Sequence, residues 1–199
     1  NLLQDRYGMI WVGSSGCGVE MFNPNTNEWK VYDNDPSDST SISDGFVEAI
    51  LEDRSGTLWF GTAGGLNRFE RETETFTCFR EKDGLARDWI KGLLQDNEGY
   101  LWMSTDDGIS RFDPVNEEFQ NFSVDRLNNH SFRRGAFFKS ETGEMFFGGS
   151  EGFNIFHPSQ IKNNQNIPPI VITRFNLFNQ LQNEDLPLDY SIELDYKRN

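Results

Sequence analysis

The chain has 199 residues, 36% of them hydrophobic, and its 18 Phe and 5 Trp can fill a real core, which argues against disorder. Against 32 Asp and Glu stand 18 Lys and Arg, and the formal net charge of -14 repels nucleic-acid phosphates and anionic membrane surfaces. Neutral and cationic partners remain open.

The opening residues, Asn1 to Asp5, have neither the basic region nor the long apolar stretch of a secretion signal, and do not read as a natural protein start. A phrase then begins that recurs along the chain: Asp, two residues, Gly, two residues, Trp, one residue, Gly. Its copies carry Asp5, Gly8, Trp11 and Gly13, then Asp53, Gly56, Trp59 and Gly61, then Asp96, Gly99, Trp102 and Ser104. A weaker fourth has Ser140, Gly143, Phe146 and Gly148. The aromatic anchors are 48, 43 and 44 residues apart, the length of a propeller blade rather than of a helical solenoid repeat.

Within each copy the apolar residues alternate with period two between turn residues, as antiparallel strands require. The second copy predicts an inner strand at 46–53, a turn at Arg54-Ser55-Gly56 and a second strand at 57–62. A turn at Ala63-Gly64-Gly65, a third strand at 66–70 and an outer strand at 75–80 complete the blade. Gly56 and Gly65 stand where the two hairpins need a positive φ. Trp11, Trp59, Trp102 and Phe146 are expected to fill the wedges between blades, and Asp5, Asp53 and Asp96 to accept backbone hydrogen bonds in their turns. Cys17 and Cys78 fit neither a metal motif nor a disulfide framework and are read as free and buried.

The segments Leu58-Trp59-Phe60-Gly61-Thr62, Gly65-Leu66-Asn67-Arg68-Phe69 and Gly108-Ile109-Ser110-Arg111-Phe112-Asp113-Pro114 resemble two-component regulator propeller repeats. The resemblance covers residues 1–157 and departs at Ser104 and around Cys17. Further on, Pro168-Pro169-Ile170-Val171-Ile172-Thr173-Arg174-Phe175-Asn176 resembles the first strand of the immunoglobulin-like three-tyrosine domain that follows such propellers. The expected fold is therefore all-β: about four four-stranded blades in 1–157, a linker over 158–167, and the first strands of a β-sandwich in 168–199. The fourth blade lacks a Phe-rich outer strand, so further blades are expected upstream. The resemblance implies the extracytoplasmic, periplasmic part of a hybrid sensor histidine kinase that binds an oligosaccharide or related polar ligand. It also implies the rest of the sensor chain as partner and a homodimeric receptor.

Catalysis finds no support. Two residues separate Asp from Gly in the phrase where the Asp-box of sialidases has one. The two histidines, His130 and His157, lie in no triad motif, and His157 reads as a solvated strand-end residue. No cofactor or metal is called, since Asp106-Asp107 and Glu184-Asp185 lack the spaced ligands of a calcium loop. No apolar run is long enough to cross a bilayer.

Function is expected where the repeats disagree. The loops Asp33 to Gly45, Glu81 to Asp88 and Asp125 to Arg133 each link an outer strand to the next inner one. They should share a face with Ser14-Ser15, Ala63-Gly64, Asp106-Asp107 and Ser150-Glu151. Arg87, Trp89, His130, Phe132, Arg133, Asp106 and Asp107 are therefore the candidate ligand residues, offering stacking faces and hydrogen-bond donors. Two other readings stay open: an assembly module that holds receptor chains together, and a glycan-active hydrolase or lyase.

Overall fold

In the computed structural model, residues 1–123, 132–161, 172–177 and 180–186 are described. The chain divides into two compact units, Asn1–Ile161 and Lys162–Asn199. The first unit is a run of antiparallel blades in which each strand pairs with the next in sequence. Blade 1 holds β1 (Leu2–Gln4), β2 (Ile10–Gly13), β3 (Val19–Asn23) and β4 (Glu28–Tyr32). Blade 2 holds β5 (Val47–Glu52), β6 (Leu58–Thr62), β7 (Gly65–Glu70) and β8 (Thr75–Phe79). Blade 3 holds β9 (Gly92–Gln95), β10 (Leu101–Thr105), β11 (Gly108–Asp113) and β12 (Glu118–Ser123). Blade 4 has three strands among the described residues, β13 (Phe132–Lys139), β14 (Met145–Gly149) and β15 (Gly152–Phe156). The second unit, described by itself, is a hairpin of β16 (Ile172–Leu177) and β17 (Gln180–Leu186).

The repeated phrase builds each blade through one hydrogen-bonded device. Gly56 at φ 97 and Gly65 at φ 128 close the two hairpins of blade 2 in the conformation that L side chains rarely adopt. In the first turn, Asp53 Oδ1 accepts from Thr57 N at 3.0 Å while Oδ2 accepts from the Trp59 indole at 2.8 Å. Asp5 with Trp11 (2.9 Å) and Asp96 with Trp102 (2.8 Å) repeat the indole bond. The expectation that the aspartates hold the turn is met, and the indole bond is an addition to it. The acid steadies a ring that cannot be buried without a partner for its N–H. In blade 4 the ring is Phe146, which carries no donor, and the acid has become Ser140, whose Oγ accepts from Glu144 N at 3.0 Å.

Each buried indole reaches the next blade. Trp11 lies 5.1 Å from Phe69, Trp59 lies 5.7 Å from Phe112 and Trp102 lies 5.0 Å from Phe156. Phe146 does not follow suit: it is half-buried, against Phe138 and Phe153, because among the described residues no further blade covers that side. Phe138 and Phe153 on this face are 63% and 58% exposed, as are Trp29 and Val31 (60% and 58%) on the opposite side of blade 1. Cysteine burial also needs correcting. Cys17 is exposed because it rides a tight turn between Gly16 and Gly18, and Cys78 is only half-buried at the outer edge of blade 2.

Polar straps cross the blade seams at the first-turn face. Arg6 Nε donates to Glu52 Oε1 at 2.9 Å and its Nη2 to Asp53 O at 3.0 Å. One blade on, Arg54 donates to Asn97 O and Oδ1. Lys139 Nζ reaches back to Gln95 O at 2.8 Å, and burial together with Arg54 lowers its pKa. His157, read as a solvated edge residue, is half-buried: Nδ1 lies 2.8 Å from Ser159 Oγ and Nε2 lies 3.1 Å from Thr142 O.

Candidate functional site

The inner strands β5, β9 and β13 approach one another, and the residues at their starts form a mouth. Two of them, β5 and β13, enter through a bulge, a device that re-aims side chains out of the ladder. In blade 2 the register shifts between Val47 and Ala49, which leaves Glu48 unpaired in the ladder. In blade 4 it shifts between Phe132 and Phe137, where Arg133 to Ala136 form a longer bulge.

Trp89, just before β9, is 36% exposed and stands at the centre of this mouth. The Arg134 guanidinium lies 4.8 Å from its ring centroid and the Lys91 ammonium 5.8 Å. Both cations are held by carboxylates. Arg134 Nη1 is 3.1 Å from Glu48 Oε1, an ion pair joining blades 4 and 2, and Lys91 Nζ pairs with Asp106. Arg87 closes the rim, with Nε 3.2 Å from Asp107 Oδ2 and Nη1 3.4 Å from Glu81 Oε2. Arg87, Trp89, Asp106 and Asp107 are thus brought into one mouth.

Three sequence candidates fare differently. Phe132 is 2% exposed and packs 6.4 Å from Phe147 in the fourth blade's core, because its pairing with Gly149 turns it inward. It is a core residue and not part of the mouth. Arg133 is exposed on the bulge, and the neighbouring Arg134 is the arginine that meets Trp89. His130 lies outside the described residues.

Glu48, Lys91 and Arg134 were missed, and the signal for Arg134 was present. From the start of the inner strand to the aromatic anchor, blade 4 (Phe132 to Phe146) is two residues longer than blade 2 (Val47 to Trp59).

Chemically the mouth offers an indole, three cations and their carboxylate partners. A ligand that stacks on Trp89 competes with Arg134 and Lys91, so it must bring oxygens that keep them hydrogen-bonded. Among the described residues no cluster of three or more His, Cys, Asp or Glu side chains is disposed to hold a metal.

The Asp33 to Gly45 loop is ordered by its own side chains. Asp35 Oδ1 accepts from Ser37 Oγ at 2.7 Å and Ser37 N at 2.9 Å, and Asp38 Oδ1 from Thr40 Oγ1 at 2.7 Å and Thr40 N at 2.9 Å, bonds that hold both carboxyls below their usual pKa, the hydroxyls foremost. The loop borders a cleft of about 530 Å³ whose far wall carries Arg80 and Lys82.

A family model described as the two-component regulator propeller matches residues 41–64 and 84–107. A histidine kinase of Formosa agariphila, Histidine kinase P4, is 35% identical over 159 residues, covering 75% of this chain and 8% of that protein. The extracellular domain assigned to the hybrid two-component system BT3049 of B. thetaiotaomicron superposes with a TM-score of 0.74 at 27% identity, over 94% of this chain and 26% of that one. A structure assigned as a gluconolactonase gives a TM-score of 0.56 at 14% identity, over 79% of this chain and 59% of that one, a likeness of fold alone. The chain thus spans a small part of the histidine kinase and about a quarter of the extracellular domain. Among the described residues no helix is long and apolar enough to cross a membrane.

Proposed function

We propose that this chain, which carries two-component regulator propeller repeats, is part of the extracytoplasmic, periplasmic ligand-sensing region of a hybrid sensor histidine kinase and performs no chemistry on its ligand. The observation that carries the reading is the mouth, where bulges in two blades and a loop of a third deliver Glu48, Arg134, Trp89 and Lys91 to one place. Bulged, charged inner-strand starts weaken the ladder, and a purely structural blade has no need of them. The ligand is an oligosaccharide or a related polar molecule: its ring stacks on the Trp89 indole while its oxygens take over Arg134, Lys91 and Arg87. The likeness to an extracellular domain of a hybrid two-component system supports the sensor role.

A second reading, assembly, is favoured by a separate observation. The outer faces of blades 1 and 4 expose Trp29, Val31, Phe138 and Phe153, a larger apolar display than a free surface tolerates well. These faces seat further blades of the sensor or a second receptor chain. Titrating the intact extracytoplasmic region with an oligosaccharide panel separates the readings. Saturable binding that leaves the saccharides chemically unchanged supports the sensor, product formation supports a hydrolase or lyase, and no binding leaves assembly.

A further inference from the structure

Repeats make the chain its own comparison, and two equivalent blade seams differ in one respect. Between blades 1 and 2, Arg71 follows the last residue of β7 and reaches across the seam. Its Nη2 is 2.9 Å from Asp5 Oδ2 and 3.7 Å from Glu52 Oε1, with the guanidinium 4.8 Å from the Tyr7 ring. Between blades 2 and 3 the pairing Asp113 with Glu118 matches Glu70 with Thr75, so Pro114 stands where Arg71 stood. The acid is retained, Asp53 for Asp5, while Gln95 keeps an acceptor oxygen but not the charge of Glu52, and Ser55 replaces the ring of Tyr7.

The place that Arg71 fills in the first seam is an open cleft of about 560 Å³ in the second, lined by Asp53, Ser55, Gln95, Tyr100, Pro114 and Val115 among others. Among the described residues, Oδ2 of Asp53 accepts only the Trp59 indole, whereas Oδ2 of Asp5 takes the Trp11 indole and Arg71 together. Arg54 also lines the cleft, but its guanidinium is engaged by Asn97 O and, at 3.1 Å, by Asn97 Oδ1. Glu98 and Asp113 add negative charge, and Val115, 88% exposed, gives an apolar wall for an alkyl stem.

We propose that this seam binds an alkylguanidinium group, of the kind an arginine side chain carries, with Asp53 taking the part that Asp5 plays for Arg71. The cation supplies the second donor to Asp53 Oδ2 and accepts no proton, and its stem lies on Pro114 and Val115. The site is separate from the Trp89 mouth and does not rest on the nature of the ligand bound there.

The test uses ethylguanidinium chloride and the intact chain, with the indole N–H resonances of the tryptophans as reporters. Trp59 donates to Asp53, so its signal should move saturably with ethylguanidinium while those of Trp11 and Trp102 stay in place, and matched potassium chloride should not reproduce the shift. Pro114→Arg supplies the missing guanidinium in cis, and its Trp59 signal should no longer respond. Arg71→Ala opens the first seam, and there the Trp11 signal should acquire a response of the same kind, which keeps the idea testable if Pro114→Arg does not fold. The proposal is overturned if the Trp59 signal does not saturate, if all three indoles move alike, or if neither variant changes the response.

Discussion

Replacing Asp53 by alanine removes the acceptor of three donors at once: Ser55 Oγ at 2.5 Å, Thr57 N at 3.0 Å and the Trp59 indole at 2.8 Å. The serine loses little, since its hydroxyl already lies 3.0 Å from Thr57 Oγ1 and the turn faces water. The other two donors are costly. A hydrogen bond to a charged acceptor contributes about 1.5–3 kcal/mol net, and the indole, on a residue 1% exposed, cannot find water in its place. The expected loss is about 3–5 kcal/mol, a large share of the 5–15 kcal/mol typical of a domain. Urea unfolding of the intact chain, followed by circular dichroism, measures it. Adding Trp59→Phe removes the stranded donor, so the double variant should be about 1–3 kcal/mol more stable than the sum of the two single losses implies. A loss below about 1 kcal/mol for Asp53→Ala, or strict additivity in the cycle, would refute the view that blades 1 to 3 are each pinned by an acid and an indole.

Arg134→Ala leaves the Glu48 carboxylate, whose side chain is 8% exposed, without its cation; Arg134 is itself half-exposed, so the expected cost is about 1–3 kcal/mol, largely restored by adding Glu48→Gln in a thermal melt. Phe132→Ala should cost about 3–5 kcal/mol of stability in urea unfolding and leave ligand affinity at the mouth unchanged. Burial alone would raise the Asp5 pKa, but bonds from the Trp11 indole, Arg71 and Met9 N hold it below its ordinary 3.8. Its stabilising contribution is therefore complete above the ordinary carboxylate range and is lost as pH falls through the lowered value. In acid titration, Arg71→Ala should unfold at a higher pH than wild type.

The blades were legible because their code is local. Alternation set strand positions, glycine set the turns, and the strands at 46–53 and 57–62 fell within a residue or two of Val47–Glu52 and Leu58–Thr62. The bond from acid to indole was written in the sequence as a fixed six-residue interval that ends, together with the carboxylate, where Trp gives way to Phe146. It was overlooked because an aspartate in a turn has a sufficient local explanation. The mouth was legible only in part. Repeat alignment brought Arg87, Trp89, Asp106 and Asp107 to one face, but alternation fails inside a bulge. It could not foresee Glu48 or Arg134 leaving the ladder, or Phe132 turning into the core. Cys17 was misjudged from residue type, when the glycines on either side already marked a tight exposed turn.

The sensor account turns on Trp89, and calorimetric titration of Trp89→Ala in the intact extracytoplasmic region, alongside its melting curve, tests it most directly. Truncating a stacked aromatic anchor removes about 1–3 kcal/mol of binding, a tenfold to hundredfold weaker affinity for the saccharide found in the panel. Because Trp89 is 36% exposed and outside the blade cores, the melting temperature should stay near that of wild type. Wild-type affinity combined with early melting would contradict the account and make Trp89 a plug of the mouth.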